Sequence, residues 1–291
     1  MSYNDHHYLI DPARPRSEIW RTVLGSGLIL GVYMGLLVGL FFVLESTFGI
    51  DFVVSLFDGA TPAAMASLLA TFLFMTFGVW CAMRLLHKRA FASLLGPQEW
   101  LVPQFGRAMV ALIALTIVSL LIPTGDLMDD LSLNMPVGRW LMFLLPALVL
   151  VFIQISAEEF VFRGYLQSQL AARFNSPFVW MLIPSLLFGV LHHSPSEYGS
   201  NAIFITLWAV IFGALAADLT ARSGTLGPAL ALHFANNVSA MLFVGVDGTL
   251  SGFALYTLPI DPSDPDLLPL IWIDLVAMFV AWLAVRVAIR R

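Results

Sequence analysis

Eight apolar stretches, at about residues 22–44, 63–86, 106–123, 140–160, 177–192, 201–220, 227–246 and 268–288, fix the environment in which this chain can fold. A helix of ~20 apolar residues crosses the hydrocarbon core of a bilayer. Eight such spans account for most of the 291 residues. Apolar residues make up 59% of the chain and charged residues 11%. Soluble domains carry about 25% charged residues, so too little polar surface remains to face water. The expected fold class is all-α, a polytopic membrane helical bundle of about eight transmembrane helices, with no soluble domain.

The connections hold the turn formers: Gly96-Pro97, Pro123-Thr124-Gly125, Asn175-Ser176-Pro177 and the run from Asp261 to Pro265. Residues 1–19 are polar, and the first apolar stretch is too long for a signal-peptide core and lacks a small-residue cleavage site. It reads as a retained span behind a cytoplasmic tail, residues 1–21, whose His6 and His7 have no partner ligands nearby. The lone Cys81 rules out an intramolecular disulfide and any zinc site of several thiolates. Basic residues near span ends set orientation. With the N-terminus inside, 13 of the 14 Lys and Arg residues lie on the cytoplasmic side, Arg139 being the exception. Acid collects outside, at Asp51, Asp58, Asp126, Asp129, Asp130, Asp247, Asp261, Asp264 and Asp266. Asp126, Asp129 and Asp130 lack a calcium-loop pattern and read as solvated loop acid. Both termini are then cytoplasmic, in a multi-pass protein of a bacterial inner membrane.

Gly27, Gly31, Gly35 and Gly39 recur every four residues on one face of the first span. Such a row lets another backbone approach closely. Packing against another span of the same chain is the favoured reading; a homo-oligomer seam is the other.

Ionisable groups inside spans are costly and mark function. Three clusters occur between residues 156 and 237. The first is Glu158-Glu159-Phe160-Val161-Phe162-Arg163. Consecutive helical residues diverge by ~100°, so the two glutamates point apart. Glu159 and Arg163, four apart, share a face and pair in the favourable order. Glu158 has no intrahelical counter-ion, and a carboxylate left unpaired in a partly apolar site suits a general base. The second cluster is Phe188-Gly189-Val190-Leu191-His192-His193, and the third His233-Phe234-Ala235-Asn236-Asn237, with His233 and Asn237 on one face. Asp218 and Arg222, also four apart, read as a helix-end ion pair without chemistry.

These clusters, in this order, resemble the glutamate-pair, Phe-xxx-His and His-xxx-Asn motifs of the CPBP intramembrane proteases, also called the type II CAAX prenyl endopeptidase or bacteriocin-immunity-type family. Gly213 and the run from Arg222 through Gly224, Leu226 and Pro228 to His233 extend the likeness, which covers about residues 150–245. The resemblance divides the chain into the tail, N-terminal transmembrane helices at 22–149, a catalytic core at 150–245, and an outer loop with a final span at 246–291. It implies that Glu158 activates the attacking water and that Glu159 and Arg163 complete the first motif. His192 and His233 match the active-site histidines, supported by Phe188, and Asn237 the oxyanion-stabilising amide.

Amide hydrolysis needs an activated water, an oxyanion donor and a proton for the leaving amine, and these residue types supply all three. Two histidines and a carboxylate, here Glu158, His192 and His233, can also hold a divalent metal such as zinc with one position open, as a metalloprotease would. There is no HExxH helix, however, and a ligating Glu158 cannot easily serve as base. The expected substrate is a membrane-associated protein or peptide, with lipid bilayer as surroundings and no nucleic acid. A proton-coupled transporter and a non-catalytic scaffold or immunity partner are the competing readings. One expectation strains the geometry: counted from the inner side, His233 stands ~10 Å up its span and His192 ~22 Å. The fifth span must be short, tilted or begin higher, or His193 or the loop before Asn201 must reorient the site.

Overall fold

Each apolar stretch is helical over most of its length, as backbone surrounded by lipid must be. The computed structural model describes residues 3–56, 59–122, 130–248 and 250–290. The long helices are α1 (Ile19–Phe48), α2 (Pro62–His87), α3 (Gln98–Ser119), α4 (Val137–Arg173), α5 (Phe178–Leu191) and α6 (Pro195–Ser223). They are followed by α7 (Gly227–Val238), continued by a π-helical turn at Ser239–Phe243, and by α8 (Leu267–Ala288). Six of them, all but α5 and α7, are long and apolar enough to cross a membrane. The chain is a multi-pass membrane bundle, with two shorter helices where full spans were expected. Asp58, Asp126, Asp129 and the turn at 123–125 lie outside the described residues.

The helix α4 runs farther than its apolar stretch. After Glu159 it passes into a π-helical segment, Phe160–Gln167, and ends as Ser168–Arg173. Polar residues there suggested an exit from lipid, yet Arg163, Gln167, Ser168 and Gln169 are all buried. The polar N-terminal segment covers them. Residues 4–16 form short helical turns folded back on the bundle. The Tyr3 hydroxyl donates to Asp218 Oδ1 at 2.9 Å, and the Arg222 guanidinium lies 5.0 Å from its ring. His6 is buried against Trp180, their rings 4.7 Å apart, and Arg89 Nη2 donates to the Leu9 carbonyl at 3.0 Å. Asp218 and Arg222 do pair, at 2.8 Å, but their pair also anchors this segment.

At the opposite end lies a small sheet of β1 (Ser132–Leu133), β2 (Val244–Val246) and β3 (Tyr256–Leu258), ordered β1-β3-β2. β3 is antiparallel to β1 and parallel to β2. β1 leads into α4, and β2 leaves the π-helical turn after α7, so the apolar stretch at 227–246 ends as strand.

The glycine row of α1 corrects an expectation. A Cβ added at Gly27, Gly31, Gly35 or Gly39 would meet nothing of this chain within 4 Å. The close approach of α1 and α2 is made instead by Gly78, whose Cβ would stand 2.9 Å from the Ile29 carbonyl oxygen. Two other glycines seat α5 on α6: a Cβ at Gly189 would lie 2.8 Å from Thr206 O, and one at Gly213 would lie 3.0 Å from Ser185 Cα.

Candidate active site

The two glutamates at the foot of the apolar part of α4 diverge as helical geometry requires. Glu159 is wholly buried and its Oε1 accepts from Arg163 Nη1 at 3.0 Å, the i,i+4 pair expected from the spacing. The same oxygen stands 2.7 Å from His233 Nδ1. Glu158 is less enclosed, with Oε2 3.4 Å from His233 Nε2. His233 therefore bridges the two carboxylates, one on each ring nitrogen. With Nδ1 donating to Glu159, the ring is fixed and Nε2 is aimed at Glu158. Neither contact was evident in the sequence, because both join residues more than 70 positions apart.

Arg163 is buried to 1% exposure, and its Nη2 finds no hydrogen-bond partner among the described residues. Aromatic faces take that role: the guanidinium carbon lies 4.7 Å from the Phe188 ring centre and 5.8 Å from those of Phe162 and Phe212. A desolvated cation over rings is worth ~2 kcal/mol. Phe188 is thus wedged between Arg163 and the histidines, its ring 4.4 Å from His192 and 6.0 Å from His233.

His192 ends α5, half-buried, with Nδ1 2.8 Å from the Phe188 carbonyl oxygen. The height mismatch disappears in the fold. α4 continues 14 residues beyond Glu159, which lifts the glutamates roughly 20 Å above its end. His192 ends α5 at about the same level, and His233, in contact with both glutamates only six residues into α7, shows that α7 begins higher. His193 turns to Thr206 Oγ1 at 2.9 Å and is not among the residues that line the cavity.

Asn237, one turn beyond His233 on α7, donates through Nδ2 to Gln154 Oε1 at 2.8 Å and accepts from Asn236 Nδ2 at 3.2 Å. Gln154 was missed in the sequence, although an amide inside an apolar stretch, four residues before Glu158, is itself a signal. Phe212 was also missed; its ring stands edge-on to His233 at 4.8 Å, and nothing in the local sequence marks it.

Glu158, His192, His233 and Asn237 all line one cavity of about 760 Å³. Its other walls are mostly apolar, including Met65, Leu69, Phe72, Ile205 and Leu270. His233 Nδ1 is held by Glu159 and His192 Nδ1 stands by a backbone carbonyl, contacts that a metal-ligating imidazole also makes, but Glu158, His192 and His233 are not gathered as a ligand set. Among the described residues no group of three His, Cys, Asp or Glu side chains is placed to hold a metal ion.

Residues 140–239 match the family model of type II CAAX prenyl endopeptidase Rce1-like proteins. That segment contains all three polar clusters, so the family resemblance holds there. A curated relative, the uncharacterized protein YyaK of Bacillus subtilis strain 168, is 28% identical over 257 residues, 84% of each chain. No solved structure matches the chain.

Proposed function

From the family match of residues 140–239 to type II CAAX prenyl endopeptidases, we propose that this membrane protein is an intramembrane endopeptidase. Its substrate is a membrane-associated protein or peptide, cut in the manner of CAAX processing. The observation that carries the proposal is the meeting of Glu158, His192, His233 and Asn237 in one largely apolar cavity.

In this reading Glu158 takes a proton from a water in the cavity as the oxygen adds to the scissile carbonyl carbon. Positioned base catalysis of this kind contributes 10²–10⁴-fold. Asn237 Nδ2 has a second N–H beyond the one given to Gln154, and with a histidine it stabilises the oxyanion, worth 10²–10³-fold. Collapse of the tetrahedral adduct breaks the C–N bond, and the departing amine takes the proton from Glu158. Glu159 and Arg163 act through His233: they hold the ring in position and keep the site's charges balanced.

The charge pattern supports cytoplasmic termini. Arg16 and Arg21 donate to the Leu86 carbonyl, and Arg89 binds the N-terminal segment. Basic residues thus gather at the end opposite the sheet, as the positive-inside rule asks of a cytoplasmic face.

The test compares membrane-protein termini by mass spectrometry in cells carrying wild type or Glu158→Gln at equal abundance. Termini that appear only with wild type support proteolysis and name the substrate. Identical profiles from a folded, expressed variant move the reading to a scaffold or transporter.

A further inference from the structure

The last span carries a carboxylate that belongs to none of the three clusters. Leu267, Leu270, Ile271 and Asp274 follow one another at helical spacing on α8, and all four line the cavity. Asp274 therefore stands on the cavity side of α8, within a spanning helix where an isolated acid is costly. Its polar neighbour is Trp208 on α6. The Trp208 indole nitrogen is buried and closes no full hydrogen bond among the described residues. Trp208 stacks on Phe212, rings 5.5 Å apart and 9° from parallel, and Phe212 meets His233. The single ring of Phe212 thus separates the indole from the candidate catalytic histidine.

The charge of the cavity is one-sided. Glu158 and Asp274 line it, and no Lys or Arg does among the described residues. Asp274 has no cationic partner in the cavity wall. An ionised carboxylate in the wall of an otherwise apolar cavity offers a charge-assisted contact to a cation.

We infer that Asp274 and Trp208 form a specificity subsite for a basic side chain, Lys or Arg, a few residues from the scissile bond. The inference rests on the peptidase reading for its meaning, but its binding test does not depend on turnover. Acetylated, amidated decapeptides of Leu and Ala, with one Lys walked through the positions, are titrated onto the full-length Glu158→Gln protein in detergent. Norleucine counterparts serve as neutral isosteres. At one or more positions Lys should bind about tenfold or more tighter than norleucine, a charged contact's worth. Asp274→Asn should erase that preference while norleucine peptides bind as before; Asp274→Glu should keep it. Equal binding of Lys and norleucine peptides, or a preference that survives Asp274→Asn, overturns the subsite. Cleavage of the same peptides by wild type, read separately, decides the peptidase reading: a protein that binds Lys selectively but cuts nothing keeps the subsite and loses the enzyme.

Discussion

Two neighbouring glutamates show how much one helical step of ~100° decides. Glu159 is sealed among Arg163 and His233, whereas Glu158 faces the cavity. Removing one partner of a buried pair leaves an uncompensated charge, at ~3–5 kcal/mol. Arg163→Met should therefore lower the thermal midpoint sharply or abolish folded protein. Glu158→Gln should stay within about 1 kcal/mol of wild type while losing activity by 10²–10⁴-fold, both readable on one purified sample. Asn237→Ala should cost 10²–10³-fold in kcat. Gln154→Leu removes only the amide's anchor and should cost less, with KM little changed. The Glu159–Arg163 pair could be read directly from its i,i+4 spacing. The His233 bridge could not, because the chain supplies no local sign of which distant helix a buried imidazole will meet. Asp274 was legible, as an acid in an apolar span, and was overlooked because it stands apart from the motifs.

Helix–helix contacts here are set by where glycines fall. Gly78→Leu should drive a side chain into the α1 backbone at Ile29, and overpacking of this kind costs ~1–3 kcal/mol. A Cβ at Gly31 meets no atom within 4 Å, so Gly31→Leu should move the midpoint of the isolated protein far less. If the α1 row is a seam between copies, energy transfer between labelled copies in vesicles should fall for Gly31→Leu and persist for an α3 control, Val110→Leu. Apolar patterning located the six long helices, since that signal is strong and local, and took the shorter α5 and α7 for full spans. It mistook the reach of α4, because hydropathy reads polar residues as leaving the membrane even where the folded N-terminal segment buries them.

Across the whole molecule, the N-terminal segment is a docked element held partly by a neutral imidazole. Burial lowers the His6 pKa from 6.5 to about 4. The docked form excludes the proton that the released form binds, so docking is fully stabilised above pH 6.5 and weakens as pH falls toward 4. The full shift corresponds to ~3 kcal/mol. Hydrogen exchange in residues 4–16 should accelerate between pH 7 and 4.5 beyond the intrinsic rate change, and His6→Phe should remove that excess. At the other end, the three short strands have a mechanical meaning. β1 runs into α4, which carries Glu158, and β2 leaves the helix that carries His233, while both are bonded to β3. Trp140 Nε1 adds a further tie, donating to the Leu242 carbonyl at 2.9 Å. Glu158 and His233 are therefore buckled together at one end, and α4 cannot slide along or swing from α7 there without breaking the ladder. Any motion that widens the cavity is thereby left to the helices that the buckle does not join.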